Sequence, residues 1–337
     1  MLLRGRASLR RKSRTAVRLL WVVATACSQL GGDAQAGDFR FGGKSTPPHT
    51  QLRDRYESRV AKTILSLRLG LEPSVLLKTL HRLERNGKAR KLFKDIVRQA
   101  KHRRDKSEFL GLLCGVFTKT EDEAQLETVL ADVLELGRGV DGLNSLLFKG
   151  TKESHPFSED IGRGFELQVA AWFHRRLQKE IRMALNSELA GYEVDVQLST
   201  ERGPFGAIEA KGTTKPDMGN AIRIGLKQGR GHFVRTGTPV AVALRGEPDR
   251  VKQVIEEFLG GYGQKYLEVP FDVLAFAGVN GTFEAKRVAS NYPVNLQQII
   301  KKWNGDKKAS FDMGRALGNV ELMKGVMDSL FSGGQSL

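Results

Sequence analysis

Cysteine is scarce in this sequence, which has only Cys27 and Cys114 among its 337 residues. Two cysteines so far apart predict neither a disulfide framework nor a cysteine zinc site. Their scarcity is typical of a protein from a reducing compartment, or of one that is indifferent to redox conditions. The six histidines also lack the spacing that pairs such residues as metal ligands, and we expect a solvated or capping role for each.

Other common signatures are missing as well. The chain has no phosphate-binding P-loop, no glycine pattern of a dinucleotide-binding fold, and no Gly-x-Ser-x-Gly turn of a serine hydrolase. Beyond residue 36 no apolar run is long enough to cross a bilayer. We therefore expect no membrane association in the mature form, and we look for chemistry that uses neither nucleotide loops nor an activated serine.

Acidic residues are outnumbered. The chain has 54 Lys and Arg against 38 Asp and Glu, a net charge of +16. The excess is concentrated in residues 51–106, where 17 basic residues face 6 acidic ones, whereas residues 107–160 have 4 basic and 11 acidic. A local excess of this kind predicts a polyanionic partner, either nucleic acid or an anionic membrane surface.

The first 36 residues have the composition of a targeting leader. They are rich in Arg and Ser, with no acidic residue before Asp33, which favours a mitochondrial or plastid transit peptide. A secretory signal that ends near Ala36 is the alternative and would make the protein secreted or periplasmic, for example as an exported nuclease. A disordered basic arm is a third possibility. Residues 37–50 are rich in Gly and Pro and are predicted to be a linker.

Residues 51–150 are predicted to form a basic, all-α nucleic-acid-binding region. Apolar residues recur there at helical spacing, which indicates four to six helices packed as hairpins. A dense group of basic side chains in this region is predicted to contact several phosphates of one backbone. The group comprises Lys88, Arg90, Lys91, Lys94, Arg98, Lys101, Arg103, Arg104 and Lys106.

From residue 157 to about 295 the pattern changes to alternating helices and strands. A helix is predicted over Ser158–Leu185, followed by strands at Tyr192–Ser199 and Gly206–Gly212. A helix, a strand, a second helix and a terminal hairpin with Asn280-Gly281 at its turn follow. This order predicts an α/β fold with a sheet covered on both faces. Residues 296–337 are predicted to be a helical tail.

Two strands in this region carry acidic residues where apolar ones are expected. Asp195 interrupts "YEVDVQLS", and Glu209 and Lys211 interrupt "GAIEAKG". Carboxylates on adjacent strands suit Mg²⁺, or Mn²⁺, which is held by one or two carboxylates together with substrate phosphate. Lys211 shares a strand face with Glu209 and is placed to orient a water or to offset charge on a phosphoryl group. Glu166, on the preceding helix, is a candidate third ligand.

These motifs resemble the PD-(D/E)XK nuclease superfamily over about residues 157–293. "GRGFELQVAAWF" is similar to the first helix of that family with its glutamate, "EVDV" to its aspartate strand, and "IEAKG" to its E-x-K strand. The resemblance implies a restriction-endonuclease-like mixed sheet flanked by helices. It assigns catalysis to Glu166, Asp195, Glu209 and Lys211, the metal ion to the three carboxylates, and substrate contacts to Lys227 and Gln228 in "KQGRGHF".

A second E-x-K pattern is a rival for the same role. Glu284 and Lys286 form it, with Asp272 twelve residues ahead, but no helix and strand follow Lys286 to complete a sheet. Ion pairing of Asp195 and Glu209 with nearby cations at a sheet edge is the purely structural alternative. The sequence thus predicts a Mg²⁺-dependent nuclease that acts on DNA or RNA. The alternative is an inactive nucleic-acid-binding adaptor with a nuclease-like fold.

Overall fold

The structure is a computed structural model. It describes residues 64–65, 69, 71–152, 157, 162–189, 191–212, 218–261, 263–279, 282–292, 295–305 and 312–332. The predicted leader and linker, and the Asn280-Gly281 turn, lie outside these residues. The chain divides into two compact units, Met1–Glu84 and Arg85–Leu337. The division falls within the predicted helical region 51–150, so the helices that follow it belong to the same unit as the sheet.

Helices occupy most of the region before the sheet. They are α1 (Pro73–Arg85), α2 (Gly87–Gln99), a 3₁₀ helix (Ala100–His102), α3 (Lys106–Lys119), α4 (Glu123–Leu136) and α5 (Leu143–Lys152). Side-chain caps fix two of the starts, because Asn86 accepts from the Ala89 backbone N–H and Asp122 from that of Gln125. The helices predicted from the apolar spacing are thus present in the described part of this region.

The second half of the chain alternates helices and strands. Its elements are α6 (Arg163–Arg176), β1 (Arg182–Leu189), β2 (Tyr192–Thr200), β3 (Gly203–Lys211), α7 (Met218–Thr236), β4 (Val240–Arg245), α8 (Pro248–Gly260), a 3₁₀ helix (Gln264–Tyr266), β5 (Phe271–Val279), β6 (Thr282–Asn291), α9 (Leu296–Gly305) and α10 (Met313–Phe331). The mixed α/β class predicted from the sequence is confirmed. No helix in the described ranges is long and apolar enough to cross a membrane.

The predicted helix over Ser158–Leu185 is wrong at its C-terminal end. Helix α6 stops at Arg176, and Arg182–Leu189 form strand β1, which pairs antiparallel with β2. Met183 and Leu185 are buried opposite Leu198 and Val196. Two buried residues spaced by two are too few to reveal a strand, and the pairing with β2 decides the conformation.

The six strands form one mixed sheet in the order β1-β2-β3-β4-β5-β6. The pairs β3–β4 and β4–β5 are parallel, and the outer pairs are antiparallel. Each parallel connection contains a helix, α7 or α8, because parallel neighbours require a crossover. Strand β3 therefore lies inside the sheet, with an antiparallel neighbour on one side and a parallel one on the other.

Helices cover both faces of the sheet. Ala275 and Phe276 are consecutive on β5 and so point to opposite faces. Ala275 belongs to a buried cluster that includes residues of α7. Phe276 instead contacts Phe165 and Trp172 of α6, at ring-centroid distances of 6.0 and 5.5 Å. Helices α6 and α7 therefore lie on opposite faces.

Candidate active site

The pairing of β2 with β3 brings the two acidic strands together. The paired residues of β2 and β3 end at Val196 and Ile208, and Asp195 and Glu209 come next on the two strands. The Ala210 backbone N–H donates to Asp195 Oδ2 at 2.8 Å. Lys211 Nζ donates to Glu209 Oε2 at 2.7 Å and to Asp195 Oδ2 at 3.3 Å. The three side chains singled out from the sequence thus form one contiguous cluster.

The cluster is removed from solvent. Asp195 is 9% exposed and Glu209 only 1%. Burial, and then the nearby charge of Glu209, raise the pKa of Asp195 to about 6. Burial acts in the same direction on Glu209, but the side chains of His232 and Lys211 outweigh it and hold the pKa of Glu209 below its usual value. The two carboxylates therefore differ in their readiness to accept a proton.

Lys211 is held in its charged form. Burial alone would lower the pKa of this lysine, but the negative charges of Asp195 and Glu209 outweigh burial and raise it. The ammonium group is thus a hydrogen-bond donor and a fixed positive charge, and not a proton acceptor near neutral pH.

Glu166 approaches the cluster from the first turn of α6. Both of its carboxylate oxygens accept from Arg163 Nη1 at 2.7 Å. Burial, followed by the charge of Asp195, raises the pKa of Glu166 to about 8, although Arg163 and Lys211 act in the opposite direction. Glu166 is therefore electrostatically coupled to Asp195, while its direct partner is an arginine one turn away.

His232 belongs to this site, and sequence reasoning missed it. Its side chain is 2% exposed on α7, and its Nε2 lies 3.6 Å from Glu209 Oε1. We expected a solvated or capping role because the histidines show no paired spacing. The available signal was the spacing of Gly225, Gly229 and His232, which places them on one face of α7.

The predicted substrate-binding pair lies outside this cluster. Lys227 and Gln228 are both exposed on α7. At 100° per residue, Gln228 lies one turn before His232 at the edge of the buried face, whereas Lys227 is on the outer side of the helix. The pair is accessible to a substrate but does not join the buried carboxylates.

The rival E-x-K pattern does not assemble a site. Asp272 is buried and accepts from Arg287 Nε and from the Tyr292 hydroxyl, both at 2.6 Å. Glu284 lies opposite Ala277, five residues along β5 from Asp272, which is about 17 Å at the usual strand rise. Glu284 pairs instead with Arg176, at 3.3 Å. Its carboxylate and that of Asp272 therefore serve different contacts.

The basic stretch in the helical region separates into two groups. Four exposed side chains recur at spacings of three and four along α2 and the 3₁₀ helix, and we call them the basic ridge: Lys91, Lys94, Arg98 and Lys101. Within the ridge Arg98 pairs with Asp95 at 3.2 Å. Outside it Lys88 pairs with Glu127 at 2.8 Å, and Arg103 hydrogen-bonds Asp105. Arg90 is half-buried, and Arg104 is exposed just past the ridge.

A groove of about 550 Å³ lies elsewhere on the molecule, between the end of α6, the β2–β3 turn and α10. Its lining is mainly apolar and includes Leu177, Phe205 and Leu322. The Arg176 guanidinium at its rim is engaged by Glu284. Buried groups with shifted pKa values lie in the cluster around Glu209 and also around Asp272, but the Asp272 carboxylate is already engaged by Arg287 and Tyr292. We therefore place the chemistry at the cluster around Glu209.

The carboxylate pair fits a divalent cation only in part. Within the described residues, no group of three or more His, Cys, Asp and Glu side chains is arranged to hold a metal ion. Mg²⁺, however, is usually bound by one or two carboxylates with phosphate and water as further ligands. Among the residues that the structure describes, Glu209 Oε1 is buried without a hydrogen-bond partner. The oxygen donors of Asp195 and Glu209 therefore suit this ion, whereas Glu166 is engaged by Arg163.

Comparison with known proteins finds no matching family model, and neither the curated proteins nor the solved structures give a match. The function must therefore be argued from the geometry of the site itself.

Proposed function

We propose that this protein is a metal-dependent nuclease that hydrolyses phosphodiester bonds of DNA or RNA. One observation carries the proposal: Asp195, Glu209 and Lys211 meet on adjacent strands. The lysine Nζ lies 2.7 Å from Glu209 Oε2 and 3.3 Å from Asp195 Oδ2. Two buried acids beside a half-buried lysine lose hydration, and clusters of such ionisable groups are typical of functional sites. The restriction-endonuclease-like fold remains part of this proposal.

Asp195 and Glu209 would hold Mg²⁺ or Mn²⁺. When bound, the ion would polarise a phosphoryl oxygen and lower the pKa of a coordinated water. The two carboxylates fix the position of that charge, and their burial excludes competing water. Glu166 would tune the site through its protonation state, since burial and the charge of Asp195 raise the pKa of Glu166 to about 8.

Lys211 would supply positive charge at the reacting phosphate. Its ammonium persists at neutral pH because both neighbouring carboxylates raise its pKa. A donor of this kind can orient an attacking water and stabilise the negative charge that grows on the phosphoryl oxygens. It cannot act as the general base, and that role would fall to the solvent or to a carboxylate.

Nucleic-acid affinity would come from the exposed cations. The basic ridge presents four charges along one helical face and suits a phosphate backbone. Lys227 and Gln228 would contact the strand near the site, since α7 carries them on its accessible side.

An inactive nucleic-acid-binding adaptor is the alternative. One observation favours it: Lys211 satisfies both strand carboxylates, and Arg163 satisfies Glu166, so the cluster is compensated by the protein's own cations. In that case the basic ridge would be the functional surface, and the cluster would serve stability alone.

Cleavage assays with the full chain decide between the two. We would incubate labelled single- and double-stranded DNA and RNA with Mg²⁺, Mn²⁺ or EDTA and compare Glu209→Ala/Lys211→Ala with Glu284→Ala/Lys286→Ala. The second variant is a matched control, because it removes the same residue types from the rival Glu-Ala-Lys sequence. We expect metal-dependent cutting that the first variant lowers by at least about 10²-fold and the control retains. Salt-sensitive binding without cutting of any substrate would favour the adaptor.

A further inference from the structure

His232 Nε2 faces Glu209 Oε1 in the buried space between α7 and β3. The distance from His232 Nε2 to Glu209 Oε1 is 3.6 Å, and both side chains are about 2% exposed. Glu209 Oε1 and His232 Nδ1 are each buried without a hydrogen bond in the described structure. A buried carboxylate oxygen without a donor is costly, and the imidazole is the group positioned to offset that cost.

Two glycines bring the imidazole to this position. A Cβ atom on Gly225 would lie 2.5 Å from Val242 Cγ1, and one on Gly229 would lie 3.2 Å from Val240 Cβ. Helix α7 therefore approaches β4 more closely than side chains at these positions would allow. Because His232 follows on the same helical face, this close approach also sets the distance between the His232 ring and strand β3. The short helix–sheet distance is what allows the ring to reach Glu209.

The surroundings of the ring fix its orientation. The Tyr192 ring meets it edge-to-face at a centroid distance of 5.4 Å, and the Arg235 guanidinium covers Tyr192 at 4.2 Å. If the ring served packing alone, phenylalanine would fill the same space. The position of Nε2 towards a carboxylate distinguishes a polar role from a packing role, since of these two residues only histidine places a nitrogen there.

We propose that His232 is a positioning residue that holds Glu209 Oε1 while Lys211 holds Oε2, so that the carboxylate is oriented for a divalent cation. This role rests on the proposed nuclease function and adds to it a residue that the sequence motifs do not include.

The arrangement requires the Nε2–H tautomer of His232, because only a protonated Nε2 can donate to Glu209 Oε1. Nδ1 is then an acceptor, and a buried acceptor without a partner costs less than a second buried donor. Residues that orient metal ligands commonly change metal affinity by about 10–100-fold when they are replaced.

The test measures Mn²⁺ affinity by titration calorimetry in His232→Phe, His232→Gln and the parent protein. We expect His232→Phe to bind Mn²⁺ about 10–100-fold more weakly, and His232→Gln, whose amide can still donate, to recover most of the loss. His174→Phe is the matched control. It breaks another histidine–glutamate contact, His174 to Glu135 at 2.7 Å, and should leave Mn²⁺ affinity unchanged. Thermal unfolding of each variant identifies losses that come from a damaged fold.

A second measurement needs no metal ion. Long-range ¹H–¹⁵N spectra of the metal-free protein should show His232 as the Nε2–H tautomer, and Glu209→Gln should shift its Nε2 resonance. The Nδ1–H tautomer, or an unaltered resonance, would overturn the proposal.

The outcomes separate the two proposals. If the parent protein cleaves and His232→Phe binds Mn²⁺ as tightly as the parent, the positioning role is wrong while the nuclease function stands. If the parent neither binds Mn²⁺ nor cleaves any substrate, the nuclease function is wrong and the positioning role falls with it.

Discussion

Lys211 Nζ lies 2.7 Å from Glu209 Oε2, two residues back along β3. Strand side chains repeat every two residues, so the E-x-K spacing alone places the ammonium and the carboxylate on one face. The same ammonium reaches Asp195 on β2, and one lysine therefore compensates two buried acids. The stability of the buried cluster therefore depends mainly on Lys211.

Replacing Lys211 with methionine should destabilise the fold in a pH-dependent way. At pH 8 we expect a loss of about 2–4 kcal/mol in the free energy of unfolding, because two carboxylates remain buried without their cation. The loss should be smaller at pH 5, where Asp195 can take up a proton. Urea denaturation at both pH values measures the difference. Lys94→Met, at an exposed position, is the control and should change stability by less than about 0.5 kcal/mol. An equal loss of unfolding free energy at pH 5 and pH 8 would show that protonation of Asp195 does not relieve the loss of the lysine.

The stability of the metal-free protein should fall as the pH rises through the range of these acids. The folded pKa of Asp195 is about 6 and that of Glu166 about 8, both above their ordinary values. A carboxyl with a raised folded pKa stabilises the fold below its unfolded pKa and loses that contribution as the pH rises through the folded one. For Asp195 the change amounts to about 3 kcal/mol at ~1.4 kcal/mol per pKa unit.

Asp195→Asn isolates this contribution. With EDTA present, the variant should lose less stability than the parent between pH 4.5 and pH 8 by urea denaturation, because its amide does not ionise in this range. Parallel pH profiles for variant and parent would show that Asp195 titrates normally in the folded protein.

Two glycines on α7 should respond in opposite directions to alanine. Gly225→Ala places a methyl group 2.5 Å from Val242 Cγ1, and overpacking of this kind costs about 1–3 kcal/mol. At Gly231, in the same helix, an added Cβ would meet no other described part of the chain within 4 Å apart from its own helix backbone and neighbours, and alanine there should stabilise by up to ~1 kcal/mol. Urea midpoints of the two variants give the comparison. Stabilisation by both would mean that α7 does not approach β4 as closely as described.

Neutralising the basic ridge should weaken nucleic-acid binding and flatten its salt dependence. Each lost phosphate contact lowers the slope of log K against log salt by about 0.7–0.9, so four glutamine substitutions should lower it by up to ~3.6. Fluorescence anisotropy over a salt series measures the slope. The control replaces four exposed lysines elsewhere with glutamine: Lys252, Lys265, Lys301 and Lys324. An equal effect of both sets would indicate that binding follows net charge and not the ridge.

Most of the secondary structure was predictable because its signals are local. The alternation of β4 and β5 with α7 and α8 follows from apolar periodicity and from Gly and Pro at the boundaries. Strand β1 was not predictable, since its conformation depends on pairing with β2 and its own pattern is short. The acids on β2 and β3 could be predicted because they interrupt otherwise apolar strands. Their position relative to each other could not be predicted, because it depends on the β2–β3 register.

The sequence by itself determined the α/β class, the E-x-K pair on one strand face and the spacing of the basic ridge, because strand and helix periods are properties of the local chain. Only the tertiary structure decided that Asp195 meets Glu209, since a shift of one residue in the β2–β3 register would have turned the aspartate to the other face. It also decided that Lys227 stays outside the cluster and that His232 enters it. The position of His232 depends on how closely Gly225 and Gly229 let α7 approach the sheet, which is a property of packing between distant parts of the chain.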